Sequence, residues 1–483
     1  MIKAQDIQFW QIRKRANRRK PYEVRWRVDA AAFSRSYLTK ALAETYRSSL
    51  VGAAREGEVF SLTTGEPVSW ARSAETVYSH ARAFVAMRWA EASDNTRAAL
   101  VRSLVPIVLA TLEGKKAKRG RPEEKTLRRA LSMYALRPGA WASPDGQICD
   151  MPDDIRAALA WLAAVSRPVT ALEDRAALRE LLGALALRLD GERLAHTSMR
   201  NRRAVLHALL DYADERGLLS GNPLTGVKTK RRRASDAIDP RRVPSLAQAR
   251  AVLAAVSDVR GGGHLAAFFD VLYYAGTRPG EARALHEHDC SLPPTGWGSL
   301  LLAGNRPEVA AAWTDDGARH RERELKHRAP GEVRPVPIPP VLVASLRTHI
   351  ERYGTAPDGR LFWENAETFA PVTGQTYRRV WQRARVLGLS GPDRASKLAD
   401  RPYDLRHGNA SLLLASGVPA TEVARRLGHS VQMLYTTYAH WFDGMEDAAN
   451  AAVDAALANL DALTCENPGA GPDTGQNEGH GTA

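Results

Sequence analysis

The residues in this chain with the clearest capacity for chemistry lie near its C-terminus, in LGHSVQMLYTTYAHW, from Leu427 to Trp441. A histidine follows a glycine, and two tyrosines stand three residues apart, one helical turn, so Tyr435 and Tyr438 can share a face. Upstream, AAFFDVLYYAGTRPGEARAL places Arg278 at the start of a helix, after a stop at Gly276, with Thr277 as the expected cap and Pro279 in the first turn. RPYDLRHGNASLLLASG repeats the arrangement, with Asp404 as the expected cap and Arg406 and His407 in the first turn. A cation opposes the helix dipole there, beside free backbone N–H groups. Two arginines so placed suggest an oxyanion site formed twice over. Glu281, one turn beyond Arg278, can hold the first of them.

Between these boxes, RERELKHRAPGEVRPVPIP reads as strand, Pro-Gly turn, strand. From Arg231 onward only Lys326 and Lys397 occur among many arginines. Arginine cannot release a proton near neutral pH and an ammonium can, so Lys326 is a candidate proton donor. GVPATEVARRLGHS has an apolar face of Ala420, Val423, Ala424 and Leu427, a stop at Gly428 and a cap at Ser430. Alone, that segment would also suit a helix-turn-helix DNA reader.

In the order Arg, Lys, YDLR, Gly-His, Tyr, the chain resembles the tyrosine recombinases of the phage-integrase type, in particular actinobacterial-type integrases. AGTRPGEARAL matches the first arginine box, which makes Arg278 the first catalytic arginine and Glu281 its supporting acid. YDLRH matches the second, giving Arg406, with Asp404 and His407 beside it. Lys326 matches the hairpin lysine, and His429 the histidine of the LGH motif. The nucleophile of the family follows that histidine by nine residues, which selects Tyr438 and leaves Tyr435 as packing. Many members carry histidine three residues before the second arginine; this chain has Tyr403, as actinobacterial-type integrases often do. A phenol of ordinary pKa, ~10, accepts a proton poorly at neutral pH. A general-base role would then pass to His429 or His407.

The resemblance implies transesterification at a DNA phosphodiester. Tyr438 attacks phosphorus, a 3′-phosphotyrosyl link forms and a 5′-hydroxyl leaves. Arg278 and Arg406 clamp the charge that accumulates on the non-bridging oxygens, His429 adds a hydrogen bond and Lys326 protonates the leaving oxygen. The ester stores the bond energy, so no cofactor and no ATP are expected, and no GxxxxGK[ST] occurs. The main rival enzyme class is a metal-dependent nuclease. His286 and His288 in HEHDC fall on different faces of an expected helix, so no metal site is expected. Other readings are a DNA-binding protein that keeps the fold without the reaction, and a type IB topoisomerase, which has no need of an N-terminal arm module.

The fold class expected is multidomain and mainly α, with α+β parts. Tyr22, Val24, Trp26 and Val28 alternate with charged residues as a half-buried strand. A second strand is expected at Ser34–Leu38, then a helix over KALAETYRSSLVGAAREG, giving a small module over 1–64 with Arg18, Arg19 and Lys20 at its basic edge, which the resemblance makes an arm-type DNA-binding module. A helical core-binding domain follows over 65–228, its last helix opening on a Thr/Ser cap and carrying Arg200, Arg202 and Arg203 in its first turns. The linker, 229–243 within the charged stretch Val227–Ser245, has phosphate-contacting potential through Lys228, Lys230, Arg231, Arg232 and Arg233. The mixed α/β catalytic domain spans 244–463. Its last helix, with Val453, Leu457 and Leu460 on one face, is expected to dock on a neighbouring protomer, and 464–483 to be a disordered tail.

Charge supports a polyanionic partner. The 483 residues carry +14, and the eight acidic residues beyond Trp441, unmatched by Lys or Arg, leave the first 440 at +22; the pI is near 9.8. The three cysteines, Cys149, Cys290 and Cys465, make neither a disulfide framework nor a zinc spacing. With no signal-peptide core and no run of ~20 apolar residues, a cytoplasmic, nucleoid-associated protein is expected, with no membrane partner. The expected partners are double-stranded attachment-site DNA and three further copies of the chain in a homotetramer. An excision factor and a DNA-bending host protein complete the set. Binding to duplex DNA should weaken steeply with salt. For some 6–10 phosphate contacts, affinity measured by fluorescence anisotropy should fall roughly 10³–10⁵-fold between 50 and 200 mM salt. A flat dependence would contradict the assignment.

Overall fold

The computed structural model describes residues 6–114, 116–140, 151–227, 237–325, 331–438, 450–451 and 453–458. The chain forms two units, one of residues 1–232 with 309–318, the other of 233–308 with 319–483. Among the described residues, no helix is long and apolar enough to cross a membrane.

The first unit begins with a four-stranded antiparallel sheet built on β3 (Tyr22–Val28). The alternation sends Val24, Trp26 and Val28 inward. β1 (Ile7–Phe9) and β2 (Arg13–Lys14) pair along one edge of β3. β4 (Ala31–Tyr37) pairs along the other from Tyr22↔Tyr37 to Val28↔Ala31, and so starts earlier than Ser34. α1 (Lys40–Arg55), capped by the Thr39 hydroxyl, lays Ala43, Leu50 and Ala53 on the sheet. The module runs past the expected boundary at 64 for a definable reason. The Trp26 indole donates to the Gly65 carbonyl, and the Tyr46 hydroxyl donates to Glu66 at 2.6 Å. Both polar tips need partners that lie beyond that boundary. Trp70 joins the same core.

Helices follow: α2 (Val68–Ala74), α3 (Val77–Trp89), α4 (Asp94–Ala110), α5 (Glu124–Ala130), α6 (Asp153–Val165), α7 (Arg175–Leu185) and α8 (His196–Glu215). Their leucines and valines share one core, centred on Leu104, Leu162 and Leu209. Thr76 and Ser93 cap α3 and α4 with their hydroxyls. α8 departs from its expected Thr/Ser cap: Ala195 holds that place with no side-chain bond. Residues 309–318 complete this unit, with Trp313 tilted against Trp89 and Asp315 bonded to the nearly buried Arg97 at 2.7 Å.

The second unit is built round α10 (Ala266–Tyr274), which follows α9 (Leu246–Ala255). α10 is apolar on nearly every side, and Phe268, Phe269, Val271, Leu272 and Tyr273 are all buried, as such a helix requires. α11 (Pro279–Ala284) leads to a three-stranded antiparallel sheet, β5 (Cys290–Ser291), β6 (Gly298–Leu302) and β9 (Arg334–Ile338), in that order. β7 (Gly304–Asn305) pairs with β8 (Arg323–Glu324). The expected strand-turn-strand around Lys326 is therefore corrected. Both strands exist, but β8 pairs with β7 and β9 with β6, not with each other. Inward-facing Leu300 and Leu302 give β9 an apolar partner that the two-residue β8 cannot offer. α12 (Pro340–Tyr353), α13 (Gly374–Gly388) and α14 (Gly391–Ala395) complete the body of the unit. α15 (Asp404–Ala415), α16 (Ala420–Leu427) and α17 (Val431–Thr437) then form a second apolar cluster with Leu414, Val423, Leu427, Leu434 and Tyr438. Residues 450–451 and 453–458 are helical, with Val453 and Leu457 exposed. Leu460 and the tail lie outside the described residues, as do Cys149 and Cys465.

Trp381 anchors this unit. Its ring is fully buried against Phe269, and its indole donates to the Ala399 carbonyl at 2.8 Å. That bond helps to hold Ala399 at a positive φ of 48°, a conformation unfavourable for alanine. Trp381→Ala should destabilise the second unit by ~3–5 kcal/mol in urea unfolding, the range for a large buried aromatic.

Candidate active site

Seven of the residues selected from sequence converge in the second unit: Arg278, Glu281, Tyr403, Arg406, His407, His429 and Tyr438. The first box folds differently in detail from its expectation. Thr277 does not cap α11; it is buried, with its hydroxyl toward the Val271 carbonyl at 3.4 Å. Arg278 itself is the cap residue, and Glu281 reaches back to accept its backbone N–H at 2.9 Å and its guanidinium at 2.7 Å. Arg278 keeps about a fifth of its side chain exposed and also donates to the Gly428 carbonyl at 3.4 Å.

In the second box Tyr403, not Asp404, occupies the cap position, and Asp404 accepts the Arg401 N–H at 2.9 Å. Arg406 has no solvent contact. Its guanidinium donates to the carbonyls of Gly276 and Leu427 and, at 2.8 Å, to Nε2 of His429. Burial, then the neighbouring Arg278, pushes Arg406 down to about 10, which still leaves it charged at neutral pH. The Gly-His turn delivers its contacts through the backbone. Gly428 closes α16 at a φ of 63°, and a Cβ there would collide with the guanidinium of Arg334. The carbonyls on its two sides serve both arginines.

Arg334 is the functional residue that sequence reasoning missed. It is buried at the head of β9 and grips Glu281 with two hydrogen bonds, at 2.7 and 3.3 Å. Its signal was the period of two: Arg334, Val336 and Ile338 share the inward face, an unusual place for a cation without a partner. Burial pushes Glu281 up, but Arg334, Arg406 and Arg278 outweigh it and bring the carboxyl down to about 2.

The two tyrosines separate cleanly. Tyr438 is fully buried at the end of α17, with its hydroxyl 2.9 Å from Nδ1 of His407. Tyr435 is half exposed. Burial raises the Tyr438 phenol well above its ordinary range despite Arg406 nearby, so the resting group is protonated. Burial and Arg406 lower both histidines, His407 to about 4 and His429 to about 3, so both rings are neutral. Tyr403 sets its ring edge-on to His407, centroids 5.1 Å apart. Lys326 lies outside the described residues, as do Lys228, Lys230, Arg231, Arg232 and Arg233.

Of the remaining basic residues, Arg18, Arg19 and Lys20 are exposed on the turn between β2 and β3, and Arg200 is exposed on α8. Arg202 and Arg203 have an intramolecular purpose that the dipole argument overlooked. Arg202 donates to the carbonyls of Leu185 and Leu187 beyond the end of α7, and Arg203 to that of Val227. His286 and His288 also correct an expectation. They lie on a 3₁₀ turn, not an α-helix, and their rings stack 5.2 Å apart. With Asp289 they are the one group among the described residues able to hold a metal ion, their ligand atoms within 4.8 Å of one another. Asp289 already accepts the His286 backbone N–H at 3.0 Å, which accounts for it structurally.

No family model matches the chain, and no curated protein matches it. The chain is similar to solved integrases and recombinases. The Tn1549 transposon integrase in complex with circular intermediate DNA is 17% identical, with a TM-score of 0.42 over 63% of this chain and 94% of that one. The XerH site-specific recombinase bound to palindromic difH, a post-cleavage complex, is 14% identical at 0.46, over 78% and 96%. Lambda integrase bound to DNA is 15% identical at 0.34, over 54% and 78%.

Glu281→Gln should destabilise the protein by ~3–5 kcal/mol at pH 7, since it leaves buried arginines without their counter-charge. Because the carboxyl is depressed in the folded state, its contribution is complete above the ordinary carboxyl range and is lost as pH falls toward about 2. Urea melts of wild type and variant should therefore converge between about pH 5 and 2.

Proposed function

We propose that this protein is a site-specific tyrosine recombinase of the integrase type, serving a phage or another mobile element. It cleaves and rejoins DNA through a 3′-phosphotyrosyl intermediate formed on Tyr438. One observation carries the reading. The tyrosine of the pair that is buried among the site groups is the one nine residues after His429, and Arg406 in the same site turns its charge toward carbonyls and a neutral ring. Arg278 and Arg406 supply the charge that a phosphorane transition state needs, in place of metal ions. His429 accepts from Arg406 through Nε2, so its hydrogen is on Nδ1, a buried donor with no partner in this state and thus available to a phosphate oxygen. Lys326 protonates the leaving 5′-oxygen, the role the sequence assigns it.

The reading extends to a homotetramer on two synapsed duplexes, with a cytoplasmic, nucleoid-associated location. An excision factor and a DNA-bending host protein act as accessory partners. Exposed Arg18, Arg19 and Lys20 on the β2–β3 turn are phosphate contacts in this reading, with Arg200 on α8 beside them in the expected DNA-binding set. No cofactor takes part.

The deciding experiment is covalent trapping on nicked attachment-site DNA with wild type, Tyr438→Phe and Tyr435→Phe. The adduct should form with wild type and Tyr435→Phe and vanish with Tyr438→Phe. Loss in Tyr435→Phe alone would move the nucleophile. Binding by wild type with no adduct would favour a DNA-binding protein that keeps the fold without the reaction.

A further inference from the structure

We propose that His407 is the group that takes the phenolic proton of Tyr438 as its oxygen attacks phosphorus; this rests on the recombinase reading above. The sequence leaves His407 and His429 both open for the role, and the hydrogen bonds separate them. His429 spends its Nε2 lone pair on the Arg406 guanidinium at 2.8 Å, so it can only donate through its other nitrogen. His407 has the opposite polarity. Its Nδ1 stands 2.9 Å from the Tyr438 hydroxyl, within the reach a general base needs. A protonated phenol donates in that pair, so Nδ1 holds the lone pair and Nε2 the hydrogen.

The surroundings fit an acceptor. Tyr438 arrives from the end of α17, and Tyr403 meets the ring edge-on from the turn before α15. Arg406 adjoins it on α15, and Arg242 acts on it from the segment before α9 with Asp404 3.9 Å from its own guanidinium. His429 couples to it from the turn between α16 and α17. Burial first, and then the cations Arg406 and Arg242, hold His407 neutral, as a proton acceptor must be before the reaction. An anionic phosphate drawn to Arg278 and Arg406 offsets those same charges, so His407 becomes more basic when substrate is bound and the proton is needed.

The step balances. The Tyr438 oxygen forms the bond to phosphorus, the bond from phosphorus to the 5′-oxygen breaks, and the phenolic proton moves to Nδ1 of His407. The leaving 5′-oxygen takes its proton from a separate acid. In religation the imidazolium returns the proton to the departing Tyr438 oxygen.

The test is single-turnover adduct formation on nicked attachment-site DNA across a pH series. Wild type should rise with pH as His407 loses its proton and then reach a plateau. His407→Gln accepts a hydrogen bond but no proton, so it should be slower by ~10²–10⁴-fold, the usual worth of a positioned base. Its plateau should vanish, because the phenol must then ionise to solvent. DNA with sulfur in the 5′-bridging position leaves without a proton. That substrate should not restore His407→Gln, although it would relieve a defect in leaving-group protonation. If His407→Gln fails to fold, by thermal melt and DNA anisotropy, wild type on the sulfur substrate decides: the acid limb should persist. The proposal is overturned if His407→Gln keeps the wild-type rate and limb, if sulfur restores it, or if the wild-type limb disappears on sulfur. Absence of any wild-type adduct would instead remove the recombinase reading, and this proposal with it.

Discussion

A guanidinium with no access to water must be satisfied by the chain around it, and Arg406 imposes that demand on the second unit. Leaving it unpaired would cost several kcal/mol. No carboxylate is directly bonded to it; it is met by carbonyls from the ends of two helices. Gly276 follows the end of α10, and Leu427 is the last residue of α16, where orphan carbonyls and the negative end of the dipole are found. Both helices end in glycine at positive φ, 61° at Gly276 and 63° at Gly428. A Cβ at Gly276 would strike Asn409 and Leu427, and one at Gly428 would strike Arg334. The two glycines of the motifs are thus the geometric condition for burying the arginine between them.

The same packing leaves the site short of negative charge. Among the described residues, Glu281 is the carboxylate that pairs with Arg278 and Arg334, Arg406 acts on it only through space, and both histidines are neutral. A cluster of that composition is held at a cost to stability, and an anion between Arg278 and Arg406 would relieve it. Stability given up for a preorganised anion site is the usual exchange at catalytic centres. Glu281 is therefore not a catalytic acid in this geometry. Held far below its ordinary range, it keeps Arg278 and Arg334 in place.

The sequence disclosed elements whose pattern is local. β3 spans the alternating residues, the helices fall where the apolar period places them, and the Gly428 stop and Ser430 cap are as read. Partners across long separations were hidden. Which strand β9 joins depends on Leu300 and Leu302, more than thirty residues upstream, and turn chemistry alone pointed to the wrong neighbour. Arg202 looked like a misplaced cation until the carbonyls beyond α7 appeared beside it. His286 and His288 were read at helical spacing, and a 3₁₀ turn brings their rings together. Capping differs from expectation at Thr277 and Asp404: Glu281 accepts the Arg278 N–H, and Asp404 accepts that of Arg401.

Tyr438 shows how little local structure holds the proposed nucleophile. α17 has seven residues, too few to be stable alone. Its position comes from Leu434 and Tyr438 in the apolar cluster, from His407, and from the Ile238 N–H, which donates to the Thr437 carbonyl at 3.0 Å. Ile238 comes soon after the basic stretch, so the chain leaving that stretch is tied to the residue before Tyr438. These tertiary contacts supply the stability that so short a helix lacks, and they hold the Tyr438 hydroxyl on Nδ1 of His407.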